Sequence, residues 1–442
     1  MAPELDDTKT AASKTHSKAL AINLDPTIYG TFAEIGAGQD VAQWFLLVGA
    51  ASGTVAQTIC AYDKAFSDER YGKGTRYVSR ERLLSMLEHE YSLLRKELGP
   101  TRGASTRYFS FADTVAARNF KGDNEQHGWI GLRFEVEPGG TPSDILLHIA
   151  LRDATAALQS ESLGVFGVNL IDAAYHHRTS SAEFLTALFE GLSRANLELD
   201  VIELSGPAFN NVDARLWCIR ALRQQMCHAV VFDRSGSPVE PASVLRKRPL
   251  IVESGRFESV SPFQRDLLKS AERQFQKEFP DTKSPVTTLI DMTVKDEPGA
   301  DTSDGELLAR VEGLAELGAV AVSDLAQAYR LIEFLRRFTS EPIRLAMGVS
   351  ALARLLVQDE YLALPGKMLE GLGKLLADNV RLYVSAVPVE ACRAELGEHA
   401  DAMFDLSGPG PIGVEHFRLG PPMDELLRYV RAEKWLMPTD SA

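Results

Sequence analysis

Cysteine is scarce in this chain, with four residues among 442. Cys60, Cys218, Cys227 and Cys392 are scattered, and no two of them form a CxxC pair. A disulfide framework or a cysteine-bound metal needs such paired spacing. The sequence therefore predicts reduced thiols in a cytoplasmic protein, and its spacing indicates no metal site.

Long apolar runs are also lacking. The longest spans residues 41–51 and is interrupted by Gln43, so it is too short to cross a bilayer. Residues 1–17 are polar and contain no apolar segment of the kind that a secretory signal carries. We therefore expect a soluble, cytoplasmic protein with no membrane partner.

Basic residues are outnumbered by acidic ones, 47 to 61, which gives a formal net charge of −14. A surface of this sign repels the phosphates of nucleic acids and the headgroups of anionic lipids. The sequence therefore predicts no nucleic-acid partner.

Three catalytic motifs are absent from the sequence. It contains no Gly-x-x-x-x-Gly-Lys-Ser/Thr loop, no Gly-x-Ser-x-Gly turn and no His-Glu-x-x-His pair. These absences exclude P-loop nucleotide hydrolysis, α/β-hydrolase chemistry and zincin proteolysis.

Alternating helical and strand-like segments dominate what is present. From Ser180 onward, short apolar runs alternate with helical patterns, which is typical of parallel strands joined by right-handed crossovers. Nearer the N-terminus, residues 129–136 and 144–151 alternate in polarity around the turn at 138–142, which predicts a β-hairpin. We predict an α/β fold of two halves with mostly parallel sheets and a hairpin insertion in the N-terminal half.

The domain boundaries follow from composition and from the length, which suits two domains. Residues 1–18 are polar and mixed in charge, so we predict a disordered arm. Residues 257–284 are charged and poor in branched apolar side chains, which indicates a helical connector. An N-terminal α/β domain would then span 19–256 and a C-terminal α/β domain 285–442.

The sharpest local signal is a strand, a Gly-x-Gly turn and a helix at Glu34, Gly36, Gly38 and Asp40. Backbone N–H groups at such a helix N-terminus can hold an anion or a ribose, and Asp40 is a plausible N-cap. The segment is similar to the glycine loop of S-adenosylmethionine-dependent methyltransferases, but Asp40 stands where the third small residue belongs. The alternative is that the glycines only permit a tight turn.

A second loop, at residues 205–213, also follows a strand and opens a helix. Ser205 and Gly206 are candidates for contacting an anionic group, and Arg215 for supplying a counter-charge. The alternative is a loop shaped by Pro207, with Asn211 or Asp213 capping the helix. We predict that this loop and the Gly36–Gly38 loop meet at the carboxyl edge of one sheet and bind a small molecule there.

Acid–base candidates are few because the histidines are isolated or, at 176–177, adjacent. His127 is the best of them, since it ends a polar loop that contains Glu125. Asp113, Glu125 and His127 would form a catalytic cluster if the fold brought them together.

Four segments resemble a family of bacterial proteins that is common in cyanobacteria. They are NLDPTIYGTFAEIGAGQD at 23–40, SGPAF at 205–209, AYRLIEFLRRF at 328–338 and LPGKMLEGLG at 364–373. Members of the family carry automated labels as nicotinate or nicotinamide nucleotide adenylyltransferases or as TonB-box-like proteins. The first label would require a His-x-Gly-His phosphate motif, which this sequence lacks, and the second a signal peptide.

Two functional hypotheses follow. The first is an enzyme or binding protein for a small nucleotide-like or anionic ligand, and its cofactor is not indicated. The second is a self-associating scaffold, suggested by the glycine-punctuated apolar run at 41–60 and consistent with a homo-oligomer. A converging polar site would favour the first, and a large exposed apolar patch the second.

Overall fold

The computed structural model describes residues 4–37, 39–282, 284–294 and 302–439. The chain forms two compact units, Met1–His228 and Ala229–Ala442. No helix among the described residues combines the length and the apolar character that crossing a membrane requires.

The N-terminal unit contains a six-stranded sheet. Its strands are β1 Ile28–Ile35, β2 Val55–Ile59, β3 Arg107–Ala116, β4 His127–Phe134, β5 Ser143–Leu151 and β6 Leu197–Ser205. Its helices are α1 Glu4–Leu24, α2 Asp40–Leu47, α3 Lys64–Tyr71, α4 Arg80–Arg102, α5 Ala156–His176, α6 Ser181–Leu188 and α7 Ala214–Arg223.

The strand order in this sheet is β2-β1-β3-β4-β5-β6. β2, β1 and β3 are parallel, whereas β4, β5 and β6 each run antiparallel to the preceding neighbour. The sheet is therefore mixed, with β1, β2, β3 and β5 in one direction and β4 and β6 in the other.

Side-chain alternation divides the core of the N-terminal unit between the two faces of this sheet. Phe32 and Phe111 project to the face covered by α2 and α5, where Phe32 packs 5.2 Å from Phe45 between ring centroids. Ala33 and Ala112 project to the opposite face, which α4 covers with Leu83, Met86 and Leu87. Aromatic and branched side chains on both faces explain why this sheet is buried on both sides.

The C-terminal unit contains an eight-stranded sheet. Its strands are β7 Ala229–Phe232, β8 Pro238–Val239, β9 Leu250–Gly255, β10 Thr287–Thr293, β11 Ala319–Ser323, β12 Ile343–Gly348, β13 Val380–Ser385 and β14 Leu436–Pro438. Its helices are α8 Pro241–Leu245, α9 Pro262–Glu278, α10 Asp304–Leu314, α11 Ala328–Leu335, α12 Val349–Leu355, α13 Lys367–Leu375, α14 Val389–Leu396, α15 His399–Met403 and α16 Met423–Ala432.

The strand order in the second sheet is β14-β13-β12-β9-β10-β11-β7-β8. The six strands from β14 to β11 are parallel, and β7 and β8 extend the sheet antiparallel at one edge. Helices α11, α12 and α13 bury their apolar stripes in one continuous core against Val252, Leu289 and Leu345. On the other face, Arg344 of β12 is fully buried and forms two hydrogen bonds to Glu278 of α9, at 2.9 and 2.6 Å.

The predicted α/β class is confirmed, and the predicted hairpin is β4 and β5. The structure differs from the prediction in the N-terminal sheet, which is mixed rather than mostly parallel, and in two further places. Residues 4–24 form helix α1 where a disordered arm was expected, and Ala19 and Ile22 of that helix are buried. The two units divide at residues 228 and 229 rather than across 257–284, because that span contains α9, which packs on β9 and β12.

Helix α4 continues through Gly99 and Pro100 and reaches Arg102. Proline lacks an N–H and crowds the carbonyl four residues earlier. Here it stands in the last turn of the helix, so it removes one hydrogen bond near the end without breaking the rest.

Candidate functional site

The candidate site lies where the chain reverses its direction of travel across the first sheet. β1 is flanked by β2 on one side and β3 on the other, and both are parallel to it. The chain passes from β1 through α2 to β2, and then returns through α3 and α4 to β3. In α/β sheets, ligands bind outside the carboxyl ends of the strands at such a switch point.

Two acidic side chains face each other across this point. Glu34 of β1 and Asp113 of β3 are register partners, so they project to the same face at the same level of the sheet. They are 3% and 0% exposed, respectively. The structure thus brings together a residue predicted to bind ligand and a residue predicted to be catalytic.

Backbone N–H groups meet part of the hydrogen-bonding capacity of this pair. The two carboxyl oxygens of Glu34 accept hydrogen bonds from Val41 and Ala42, in the first turn of α2, at 3.1 and 3.3 Å. Asp113 Oδ1 accepts one from the Ile35 N–H at 3.2 Å. Asp113 Oδ2 is buried and has no hydrogen-bond partner among the described residues. The Oδ2 atom of Asp113 is therefore free to accept a hydrogen bond from a ligand.

Burial shifts both acids toward their protonated forms. Burial, followed by repulsion from Asp113, raises the pKa of Glu34 to about 9, although the Ala42 and Val41 N–H groups oppose the shift. Burial raises the pKa of Asp113 well above its usual range, and the Ile35 N–H opposes it. No basic side chain of the described residues is among the main causes of either pKa shift. A buried carboxyl without a cation is costly unless it keeps its proton, so at neutral pH this pair retains at least one.

The loop after β1 approaches β3 so closely that only glycine fits at its start. Gly36 has φ +104°, and a Cβ there would lie 2.0 Å from the carbonyl oxygen of Val115. The structure therefore gives Gly36 a structural role, in agreement with the tight-turn alternative. Gly38, the other glycine of the predicted motif, lies outside the described residues.

Two side-chain contacts tether this loop. Ser160 of α5 donates a hydrogen bond to the carbonyl of Ala37 at 2.9 Å, and the Gln39 amide donates to the sulfur of Cys60, just after β2. Burial, with repulsion from Asp113 and Glu34, raises the pKa of the Cys60 thiol. Cys60 is therefore a neutral polar group at this site and not an activated nucleophile.

The predicted anion site at the N-terminus of α2 is occupied by the protein itself. Gln39 is the N-cap, and Asp40, which was predicted to cap the helix, is its first residue. The N–H groups that would bind a phosphate donate to Glu34 instead. A carboxyl in this position competes with an anionic ligand for the same donors. The site thus accommodates a hydrogen-bond donor or a cation better than an anion.

The second predicted loop lies at the other edge of the sheet. β6 runs opposite to β1, and Ser205, its last residue, pairs with Asp144 near the start of β5. Ser205 and Gly206 are consequently at the edge where β1 begins, so the two loops do not converge. Gly206, at φ +89°, fits against Pro142 and Ser143, and Arg215 is bound to Asp213 at 2.7 Å. The prediction of one shared site failed because it assumed that all of these strands were parallel.

The predicted acid–base cluster is not assembled either. Across the β3–β4 pairing, Asp113 lies opposite Ile130, and His127 lies opposite Ala116. Asp113 and Ala116 are an odd number of residues apart on β3, so the side chains of Asp113 and His127 project from opposite faces of the sheet. Glu125 lies in the loop before β4 and is half-buried. The ring of His127 instead meets His148, with 3.0 Å between Nδ1 and Nε2.

Sequence reasoning missed His148 and Asp200, which are joined by a 2.6 Å hydrogen bond, and Gln39 and Ser160, which tether the loop. His148 is four residues inside a well-predicted strand, and no local pattern marks it. Only the pairing of strands would have connected these residues.

Comparison with known proteins adds little. No family model matches the chain, and no curated protein matches it in sequence. Solved structures that resemble part of it include the competence/damage inducible protein CihA from Agrobacterium tumefaciens, with 18% identity, a TM-score of 0.26 and coverage of 36% of this chain and 94% of that one. A competence or damage-inducible protein from Enterobacter asburiae has 11% identity and a TM-score of 0.28 over 37% and 97% of the two chains. A protein of the competence-damaged protein (CinA) superfamily from Escherichia coli has 14% identity and a TM-score of 0.24 over 37% and 86%. Similarities this weak support no inference about activity.

Proposed function

We propose that the N-terminal unit binds a small polar molecule at the carboxyl ends of β1 and β3, as an enzyme or as a binding protein. The observation that carries the proposal is the buried Glu34–Asp113 pair, which has no basic partner and leaves Asp113 Oδ2 unpaired. Buried, uncompensated acids concentrate at functional sites because their cost is retained only where they serve a purpose.

The charge of the pair selects the class of ligand. At most one of the two carboxyls is ionised at neutral pH, but with the nearby Asp40 the charge at the site is negative or zero, so the nucleotide-like or anionic ligand expected from the glycine motif is disfavoured. A neutral or cationic molecule with hydroxyl, amine or amide N–H groups would satisfy Asp113 Oδ2 and lower the cost of burying the acids. We therefore propose a ligand that presents hydrogen-bond donors.

The same pair is suited to proton transfer. A carboxyl with a pKa near 9 stays protonated at neutral pH and can donate its proton to a bound molecule, as a general acid does. The tethered residues Ala37 and Gln39 would have to move before a ligand reached groups that are nearly inaccessible to solvent. Loops that move in this way commonly exclude water from the site once the ligand is bound.

Native mass spectrometry of the freshly purified chain tests the proposal. We expect one extra mass of a few hundred daltons per chain, roughly the size of ligands that such sites hold. Asp113→Asn should abolish the extra mass while circular dichroism stays unchanged. Glu203→Gln, which changes an acid of β6 paired with Arg80, is the matched control and should retain it. Apo protein that gains no thermal stability from panels of neutral, cationic and anionic metabolites would contradict the proposal.

Self-association is a second candidate, supported by one observation on α2. Val41, Ala42 and Phe45 are buried, but Leu46 and Leu47 are 54% and 70% exposed. Isolated exposed leucines are common on monomers, so this support is weaker than that for ligand binding. The same mass spectra report the assembly state, and Leu47→Glu should dissociate an oligomer held by this surface.

A further inference from the structure

Three polar side chains outside the proposed ligand site form a hydrogen-bonded row across the antiparallel half of the first sheet. His148 Nδ1 lies 2.6 Å from Asp200 Oδ1, and His148 Nε2 lies 3.0 Å from His127 Nδ1. His148 and Asp200 are 3% and 7% exposed, whereas His127, the first residue of β4, is half-buried. The row thus runs from the buried Asp200 of the outermost strand β6, through His148 of β5, to the half-buried start of β4.

Strand register creates this row. Trp129 pairs with His148 and His127 pairs with Ala150, so the two histidines are diagonal neighbours on one face. In β6, Val201 pairs with His148 and Leu199 with Ile149, which leaves Asp200 as the extra residue of a bulge. A bulge redirects the side chain of the inserted residue, and here it directs Asp200 to His148. Side chains from three strands therefore converge.

The partners determine which ring nitrogen of His148 carries a proton. A carboxylate only accepts hydrogen bonds, so the Nδ1–H of His148 donates to Asp200. A neutral His148 then presents the lone pair of Nε2 toward Nδ1 of His127. A carboxylate behind one nitrogen and a lone pair on the other is the arrangement that protein zinc ligands adopt.

We propose that His127 Nδ1 and His148 Nε2 bind a divalent transition-metal ion of the zinc type, with Asp200 orienting His148. Nitrogens bound to one tetrahedral ion at 2.0–2.1 Å lie about 3.3 Å apart. The 3.0 Å separation in the structure is close to this value, so metal binding needs only a small adjustment and a change of tautomer at His127. Imidazole ligands suit zinc, copper and nickel rather than magnesium or calcium.

A neighbouring unpaired group supports a ligand at this position. The ring of Trp129 lies 5.2 Å from that of His148 between centroids, and its buried Nε1–H has no acceptor among the described residues. A buried indole N–H usually finds a partner. Water or an anion bound to the ion would supply an acceptor beside the histidines.

Metal titration of the full chain, prepared without a histidine tag and stripped with a chelator, tests this proposal. We expect one Co²⁺ or Zn²⁺ per chain, with visible Co²⁺ absorption that shows nitrogen ligation. His148→Ala should weaken binding at least tenfold. Asp200→Asn should weaken it by about 10- to 100-fold, the usual effect of removing the group that orients a histidine ligand.

The matched control is His176→Ala. His176 Nδ1 lies 3.0 Å from Asp172, so it is also a carboxylate-bound histidine, but its ring neighbour His177 is 6.4 Å away between centroids. This variant should bind metal as the wild type does. If His148→Ala fails to fold, His127→Gln at the half-buried edge position replaces it in the comparison. Absence of binding by the wild type, or equal binding by the wild type and the His127 and His148 variants, would overturn the proposal.

Discussion

The Glu34–Asp113 pair of the N-terminal unit and Asp291 of the C-terminal unit show two ways of burying acids at the carboxyl ends of strands. Each sheet has a first parallel strand flanked on both sides, β1 by β2 and β3, and β9 by β10 and β12. In the N-terminal unit, Glu34 and Asp113 share this position without a cation, and one oxygen has no partner. In the C-terminal unit, Asp291 of β10 accepts hydrogen bonds from the hydroxyls of Ser254 and Ser323, both at 2.6 Å.

The difference appears in the pKa values. Burial raises the pKa of Asp291 to about 6, because the Ser254 and Ser323 hydroxyls offset part of the shift, whereas the pKa of Glu34 reaches about 9. Elsewhere in the C-terminal unit, burial would raise the pKa of Glu278, but hydrogen bonds from Arg344 and Tyr383 hold it below its usual value. Glu253 of β9 also lacks a hydrogen-bond partner at Oε2 among the described residues, and burial raises its pKa to about 8. The Glu34–Asp113 site differs because it places two such acids at one level of the sheet, a cost that the fold alone does not explain.

The largest effect we predict is a loss of stability of the N-terminal unit as the pH rises. Because the pKa of Glu34 is raised on folding, the folded chain holds more protons than the unfolded chain between about pH 4.5 and pH 9. The free energy of unfolding contributed by this group is present below pH 4.5 and falls through that window. At about 1.4 kcal/mol per pKa unit, the fall is at most about 6 kcal/mol.

Urea unfolding at a series of pH values measures this effect. Glu34→Gln should reduce the dependence above pH 6, and the remainder should come from Asp113 and Glu253, whose pKa values burial also raises. Asp291→Asn is the control from the other unit, and it should change the dependence only below about pH 6. A wild-type stability that increases between pH 6 and 9 would contradict the assignment.

The next largest effect should come from Arg344→Leu in the C-terminal unit. Removing a fully buried guanidinium leaves the half-buried Glu278 without its main partner, at a cost of about 3–5 kcal/mol. Hydrogen exchange of peptides from β12 and β13 would report the loss. Arg393→Leu removes an exposed ion pair with Asp401 and should cost below about 1 kcal/mol. Equal effects of the two substitutions would remove the distinction between buried and exposed pairs.

The smallest effect separates two glycines of the N-terminal unit. Gly36→Ala forces a Cβ against the Val115 carbonyl at a positive φ, whereas Gly49→Ala, at φ +89°, meets no atom within 4 Å. A positive φ at a residue other than glycine costs about 1–3 kcal/mol of stability. Gly49→Ala therefore measures the cost of backbone strain alone, and Gly36→Ala should destabilise the protein by more. Thermal unfolding of both variants provides the comparison. Similar melting temperatures would show that the loop adjusts and that Gly36 is not required for close approach.

The alternation of strands and helices was predictable where local patterns are strong. The β4–β5 hairpin was found because Pro138–Pro142 marks the turn, and β9 to β13 because short apolar runs separate amphipathic helices. β3 and α5 were missed. The sequence of β3 is apolar without a clean alternation, and α5 is buried on nearly all sides from Leu163 to Tyr175, so it has no amphipathic period.

The candidate site was predictable only in part, for a geometric reason. Glu34 and Gly36 belong to one local motif that the sequence displays. Asp113 joins them only because β3 lies beside β1, and Ser205 is excluded only because β6 runs in the opposite direction. Strand order and direction depend on the packing of the whole sheet, which a single sequence does not reveal.

Infrared difference spectroscopy of the carboxyl groups tests the central claim most directly. The account predicts that the wild type shows the carbonyl band of a buried protonated carboxyl at pH 7. This band should lose intensity as the pH approaches 9, and it should be weaker in Glu34→Gln than in the wild type, because Glu253, whose pKa burial raises to about 8, also contributes to it. A wild type whose carboxyls are all ionised at pH 7, or a band that persists unchanged in both Glu34→Gln and Asp113→Asn, would contradict the claim that this pair is uncompensated and holds a proton.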